Sequence, residues 1–344
     1  MLPVYRSSHQ FPLFLWRFPP MPRHSYYLHA PHGFTLLEMV LVLFLMGLIA
    51  SATFMLTENV EDQTKYEETQ RRLEIMRQAI IGSPSQTLNQ TPRISGFVAD
   101  MGRLPACLHE LLEPTDCNGG ALPTWPSTPD ASTGLFYGWH GPYIQVLPER
   151  NGALRFRDGY GNTDASDAQN SGWQWLISDS ANASDAILQV QSAGTDGLFG
   201  TADDYPSGSL ATTTPLVTES AHIIHSTQLS GRIRFLDLST AIPATTLFVR
   251  IHYPDGNGAT LSVDSDGFII DASTASLNGG YSPTITFSNT ASIPIGVRTI
   301  EIVCSDNSAY DGACPGNSVH DQFARMIITP DSATTPFTVL WDLP

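Results

Sequence analysis

One stretch constrains this chain more than any other. FTLLEMVLVLFLMGLIASATFML, residues 34–56, carries a single ionisable group in 23 positions. A run of that length and composition is enough to span a bilayer as a helix with some tilt. No proline follows Phe34 until Pro84, and Gly47 is the only glycine among the first forty residues of that interval. One continuous helix to about Ile81 is therefore expected. Past the apolar run it becomes amphipathic, with Tyr66, Leu73, Met76 and Ile80 on one face and Glu and Arg on the other. At 1.5 Å per residue such a helix is on the order of 70 Å long, a length that isolated globular proteins rarely contain.

The charge is unevenly placed around this segment. Residues 1–33 hold Arg6, Arg17 and Arg23 and no acid, whereas the rest carries 14 basic and 33 acidic side chains, a net of −19. A basic start before an acidic body fits a membrane-anchored, exported chain. The overall charge of −16 argues against a nucleic-acid partner, which needs clustered Lys and Arg. Four cysteines fall in two local pairs, Cys107 with Cys117 and Cys304 with Cys314, each ten residues apart among turn formers. In an exported chain these read as two disulfides. The CxxC spacing of zinc sites is absent.

Glu38 is the anomaly in the apolar run. A carboxylate within hydrocarbon costs at least about 2.5 kcal/mol, so it calls for a partner. Nothing basic lies near it in the intact sequence. A cut after Gly33 would create an α-ammonium on Phe34, one helical turn from Glu38. A charged helix follows the apolar run directly, which argues against its removal as an ordinary secretory signal.

GFTLLEMVLVL, Gly33 to Leu43, resembles the N-terminal signature of type IV prepilins and their pseudopilin relatives. The resemblance implies cleavage after Gly33 by an inner-membrane prepilin peptidase and N-methylation of Phe34. It also implies that Glu38 pairs with the amine of a neighbouring subunit. His32 departs from the usual Lys or Arg before the glycine, and the leader is long; a start at Met21 would give 13 residues, MPRHSYYLHAPHG, the more typical length. The proline that kinks many pilin helices is missing, which favours a straighter helix.

SPSQTLNQTP breaks the helix after Ile81. ISGFVADMGRLPACLHELLEP then reads as a short helical excursion closed by the first cysteine pair. GWHGPYIQVL, ALRFRDGYGN, GWQWLI and AILQVQSAG read as strands of a small antiparallel sheet. WHGPYI (139–144), RDGYGN (157–162) and SAGTDGLFGTADDY (192–205) resemble segments of the major pseudopilin of type II secretion, in which the last forms a calcium loop. The chemistry agrees, since Asp196, Asp203 and Asp204 are hard oxygen donors and the intervening glycines let backbone carbonyls turn toward one ion. Ca²⁺ is expected on those three carboxylates, with the Ser192 carbonyl as a further ligand. The competing interpretation is a solvated acidic turn, and the spacing is not that of an EF-hand.

After TTTP (212–215), β-branched and aromatic runs recur: RIRFLDL, TLFVRIHY, ATLSV, GFIID, TITFSN, VRTIEIVC, ARMIIT and FTVLW. Eight short strands separated by turn residues predict an antiparallel sandwich. The pseudopilin resemblance does not reach this part. His222 and His225 lack a partner spacing such as HExxH and read as structural, and DGNG (255–258) and DSDG (264–267) read as hairpin turns.

The expected fold is therefore α+β: a long N-terminal membrane-spanning helix packed on a small antiparallel sheet, pilin-like, then a C-terminal all-β sandwich-like domain. The boundaries are a leader at 1–33, the helix at 34–82 with 34–56 in the membrane, a head at 83–212 and the β domain at 216–344. No GxSxG, phosphate-binding glycine loop or CxxC is present, so no enzyme is expected. The function expected is that of a structural pseudopilin or minor pilin, anchored in the bacterial inner membrane with its heads in the periplasm. Its partners would be the prepilin peptidase, other subunits, the inner-membrane assembly platform and secreted cargo. The alternative is a membrane-anchored periplasmic binding protein or enzyme whose C-terminal domain binds sugar or peptide.

Overall fold

A computed structural model describes residues 35–83, 87–88, 91–92, 95–163, 169–178, 186–235, 244–270, 280–316 and 322–341, without the side chains of 52–59, 87–88 and 91–92. The expected leader, Gly33 and Phe34 lie outside the described residues. The chain divides into two units, 1–57 and 58–344.

Helix α1, Leu36–Ile81, is a single element of 46 residues, as the absence of proline predicts. Within the first unit its side chains at 36–51 are all exposed, most of them Leu, Val, Ile, Met or Phe. Among the described residues no helix is long and apolar enough to cross a membrane. This departs from the span expected at 34–56. From Glu58 onward the helix sequence is charged. What the fold provides is an exposed apolar helical surface.

In the second unit α1 becomes amphipathic. Thr69, Leu73, Met76 and Ile80 recur at spacings of three and four and are buried. The outward face carries local ion pairs, Glu61 with Lys65 and Glu68 with Arg71 and Arg72. Against the buried stripe packs a core that includes Phe97, Val98 and Met101 of α2 (Phe97–Met101), Leu108, Leu111 and Trp173. Among the described residues the head holds two antiparallel pairs, the short β1 (Thr87–Leu88) with β2 (Thr91–Pro92), and β3 (Trp173–Ile177) with β4 (Leu188–Ser192).

The other two strands expected here, at 138–147 and 153–162, do not form. In the first run Pro142 offers no N–H to a ladder. Three of its other amides are taken up elsewhere: Trp139 N donates to Pro123 O, and Tyr143 N and Ile144 N both donate to Leu111 O. The aromatic richness of this run, which resembles a strand in sequence, serves packing instead. Gly159 of the 157–162 turn lies against α1. Its N–H donates to Thr69 Oγ1 at 3.0 Å, and a Cβ there would come within 2.5 Å of that oxygen.

All eight strand runs expected after residue 215 form strands. One sheet has the order β13 (Ala324–Ile328), β12 (Gly296–Cys304), β7 (Thr245–Pro254), β8 (Thr260–Asp264), with β9 (Phe268–Ile270) also paired to β7. A second has the order β10 (Ile285–Thr286), β6 (Ser230–Phe235), β14 (Phe337–Trp341). Ile233, Phe235, Val339 and Trp341 of the second sheet share one core with Leu247, Val249, Ile251, Ile300 and Ile302 of the first, giving a sandwich.

Two details differ from expectation. β5 (Ile223–His225) and β11 (Ser292–Pro294) form a further short pair, and β14 runs parallel to β6. No hairpin turn sets the direction of β14, because the chain reaches it from β13 of the other sheet through a 3-10 turn at Pro330–Ala333. Edge strand β14 alternates buried and exposed residues, whereas β12 is buried almost throughout. The head covers the outer face of β12: Thr299 Oγ1 donates to Thr133 O at 2.6 Å. Arg298 is fully buried and donates to Pro294 O, Ile295 O, Val297 O and, in α2, Ala99 O.

Candidate functional site

Two groups of predicted site residues lie at opposite ends of the sequence argument. At the start of α1, Thr35 is the residue before the helix and Glu38 its third position. Glu38 Oε2 accepts from Thr35 N at 2.9 Å and from Thr35 Oγ1 at 3.0 Å. Glu38 N donates back to Thr35 Oγ1 at 3.3 Å. This is a capping box, which satisfies two of the orphan donors of a helix start. TLLE matches the Thr-x-x-Glu signature in sequence, so Thr35 could have been found there. The box holds Glu38 in place beside the exposed surface of 36–51 and leaves Oε1 without a hydrogen bond among the described residues.

The second group is the loop from Ser192 to Tyr205. Its base is a bridge in which Ser192 N donates to Tyr205 O at 2.7 Å and Tyr205 N to Ser192 O at 3.1 Å. The Ser192 carbonyl is thus engaged by Tyr205. Within the loop, one oxygen of each of two carboxylates is turned to backbone: Asp203 Oδ2 accepts from Thr195 N at 2.6 Å and Asp196 N at 2.9 Å, and Asp204 Oδ2 accepts from Gly200 N at 2.7 Å. The other oxygens of Asp203 and Asp204, the Leu198 carbonyl and Asp196 Oδ1, which also accepts from Leu198 N at 2.8 Å, converge on the Thr201 hydroxyl. Asp203 Oδ1 lies 2.7 Å from Thr201 Oγ1, Leu198 O 3.0 Å, and Asp196 Oδ1 and Asp204 Oδ1 3.4 Å each. Hydrogen bonds from Thr201 first, then from the Asp196 and Thr195 amides, hold the Asp203 carboxyl below its ordinary range.

A hydroxyl has one proton, and all four of these neighbours only accept. Thr201 can satisfy one of them at a time, so the others face its oxygen with no hydrogen between, although Asp196 Oδ1 is also met by the Leu198 amide. That excess of acceptors, all oxygen, is the donor chemistry a hard divalent cation takes. Among the described residues no group of three or more His, Cys, Asp or Glu side chains closes up as a metal cluster. The fit accordingly rests on the hydroxyl and the Leu198 carbonyl together with the carboxylates.

Sequence reasoning missed the support beneath this loop. Asp158, almost fully buried, accepts from Asn162 N at 2.9 Å, Asn162 Nδ2 at 2.7 Å and Ser192 Oγ at 2.7 Å. Asn162 Nδ2 also donates to Gly194 O at 2.7 Å. The 157–162 turn is thereby fastened to the loop on one side and, through Gly159, to α1 on the other. Both disulfides form, Cys107–Cys117 beside the 3-10 turn Leu108–Leu111 and Cys304–Cys314 at the end of β12. His222 ends the short helix α3 (Glu219–His222), its Nδ1 2.9 Å from Thr218 O, while His225 on β5 pairs with Glu219 at 3.0 Å.

No curated protein and no solved structure matches the chain. Residues 29–54 match the model of the prokaryotic N-terminal methylation motif, a stretch that includes the start of α1. At its N-terminus the chain thus carries the motif of pilin-like proteins processed by a prepilin peptidase.

Proposed function

We propose that the chain is a structural subunit, a pseudopilin or minor pilin, of a type II secretion pseudopilus or a type IV pilus-like filament. The methylation motif leading into an exposed apolar helix carries this reading. In it, prepilin peptidase cuts after Gly33, Phe34 is N-methylated, and the apolar start of α1 holds the subunit in the inner membrane before assembly. Glu38, kept in position by Thr35, offers its carboxylate to the α-amine of a neighbouring subunit. The inner-membrane assembly platform draws the helix into the filament, where other subunits cover the exposed apolar surface.

In the head, Ca²⁺ takes the oxygens around Thr201, with Asp196, Asp203 and Asp204 as its carboxylates. The ion would offset the crowded acceptors and fix the loop. The C-terminal sandwich is bulky for a subunit repeated along a filament, which favours a low-copy or tip-proximal position, with that domain facing secreted cargo or other minor subunits. Replacing Glu38 with Ala tests the pairing. Incorporation into sheared filaments should fall at least tenfold at unchanged cellular level, and unchanged incorporation would refute it.

A further inference from the structure

A cleft of about 270 Å³ opens between the head and the sandwich within the second unit. It is far from both groups described above in the sequence, and neither uses its residues. Its wall is a ladder of stacked groups. His140 lies parallel to Trp125 at 4.4 Å between ring centres, Trp125 parallel to Phe136 at 5.8 Å, and the Arg325 guanidinium sits over Phe136 at 5.7 Å. Ala99, Leu135 and Val297 complete an apolar interior.

The two polar ends are unlike. Arg325, exposed on edge strand β13, makes no ion pair or side-chain hydrogen bond among the described residues beyond its contact with the Phe136 ring. Its planar fork is free to bind a carboxylate in two-point fashion. At the other end, Asp100 Oδ2 accepts from Tyr143 at 3.0 Å, while Oδ1 has no hydrogen bond among the described residues and can accept an N–H. The cleft thus has an anion-binding end, an apolar middle and an acceptor end. Its volume is at the small end for ligand pockets, suited to one amino-acid residue and not to a cofactor.

We propose that this cleft captures the C-terminal residue of a partner polypeptide, with the terminal carboxylate on Arg325, an apolar side chain against Trp125 and Phe136, and the residue's N–H toward Asp100. Capture of a chain end through its carboxylate is an established mode of peptide recognition. A polypeptide with an apolar last residue presents all three groups together, whereas an internal acidic side chain places no apolar group beside its own carboxylate. The proposal goes beyond the filament reading and does not depend on it: a chain that failed to assemble would still bind.

The test uses the full chain in detergent micelles and two acetylated hexapeptides, Gly-Ser-Gly-Ser-Gly-Leu, one with a free carboxyl terminus and one amidated. Binding is followed by tryptophan fluorescence, with Trp125→Phe identifying the signal. The free acid should give a saturable change, with the amide at least tenfold weaker. In Arg325→Met, which keeps an apolar stem over Phe136, acid and amide should bind alike. Equal binding of the two peptides to the unaltered chain, no saturable change with either, or an acid preference that survives Arg325→Met would each overturn the proposal.

Discussion

Asp100 yields a prediction whose sign runs against intuition. Replacing this carboxylate, which accepts a hydrogen bond from Tyr143 and lies near Arg298 and His140, would ordinarily be expected to weaken the fold. Burial, however, pushes its carboxyl up to about 6 from an ordinary 3.8, outweighing the Tyr143 hydrogen bond and the nearby positive charges. A folded-state pKa above the unfolded one means the native state binds the proton more tightly. The group therefore stabilises the fold fully below pH 4, and that stabilisation is lost as pH rises through 6. At 1.36 kcal/mol per pKa unit the difference across the window is about 3 kcal/mol. Asp100→Asn mimics the protonated form and keeps an acceptor for Tyr143. It should raise stability at pH 7.5 by up to about 3 kcal/mol and be near neutral at pH 4. Urea unfolding of the two chains at both pH values gives the double difference, which removes every other titrating group from the comparison. A variant less stable than the parent at pH 7.5, or a difference independent of pH, would refute the reasoning.

Two further outcomes follow from the head. Gly159→Ala drives a methyl group into Thr69 of α1, and overpacking of this kind costs about 1–3 kcal/mol, read as a lower urea midpoint with an unchanged slope. Millimolar Ca²⁺ should raise the melting temperature of the full chain, by about 2.7 kcal/mol of stability at a hundredfold excess over its dissociation constant. Asp203→Asn should abolish that response, and no response in the parent chain would remove calcium from the account.

How far the sequence spoke for itself varied with the range of the interactions involved. α1 was legible because its determinants are local: no proline, one glycine, and apolar residues three and four apart. The eight strand runs were legible for the same reason, since β-branched residues alternate between turn formers. The two segments at 138–147 and 153–162 misled because aromatic content resembles a strand, while Pro142 denies the first a ladder and the second spends its Asp158, Gly159 and Gly161 amides on Ser171, Thr69 and Asp158. Asp158 carried no local signal, since Ser192 lies 34 residues away, and Arg298 reaches the Ala99 carbonyl across 199 residues. A buried arginine held by carbonyls cannot be told in sequence from an exposed one. The loop was the intermediate case. Its three aspartates were visible, but Thr201, on which their oxygens converge, was masked by the ordinariness of a threonine in a turn.

The account turns on what happens between Gly33 and Phe34, and mass spectrometry of the mature N-terminal peptide reads it directly. A peptide beginning at Phe34 and heavier by one methyl group is the predicted result. A chain that keeps its leader, or begins with an unmodified residue elsewhere, would contradict it.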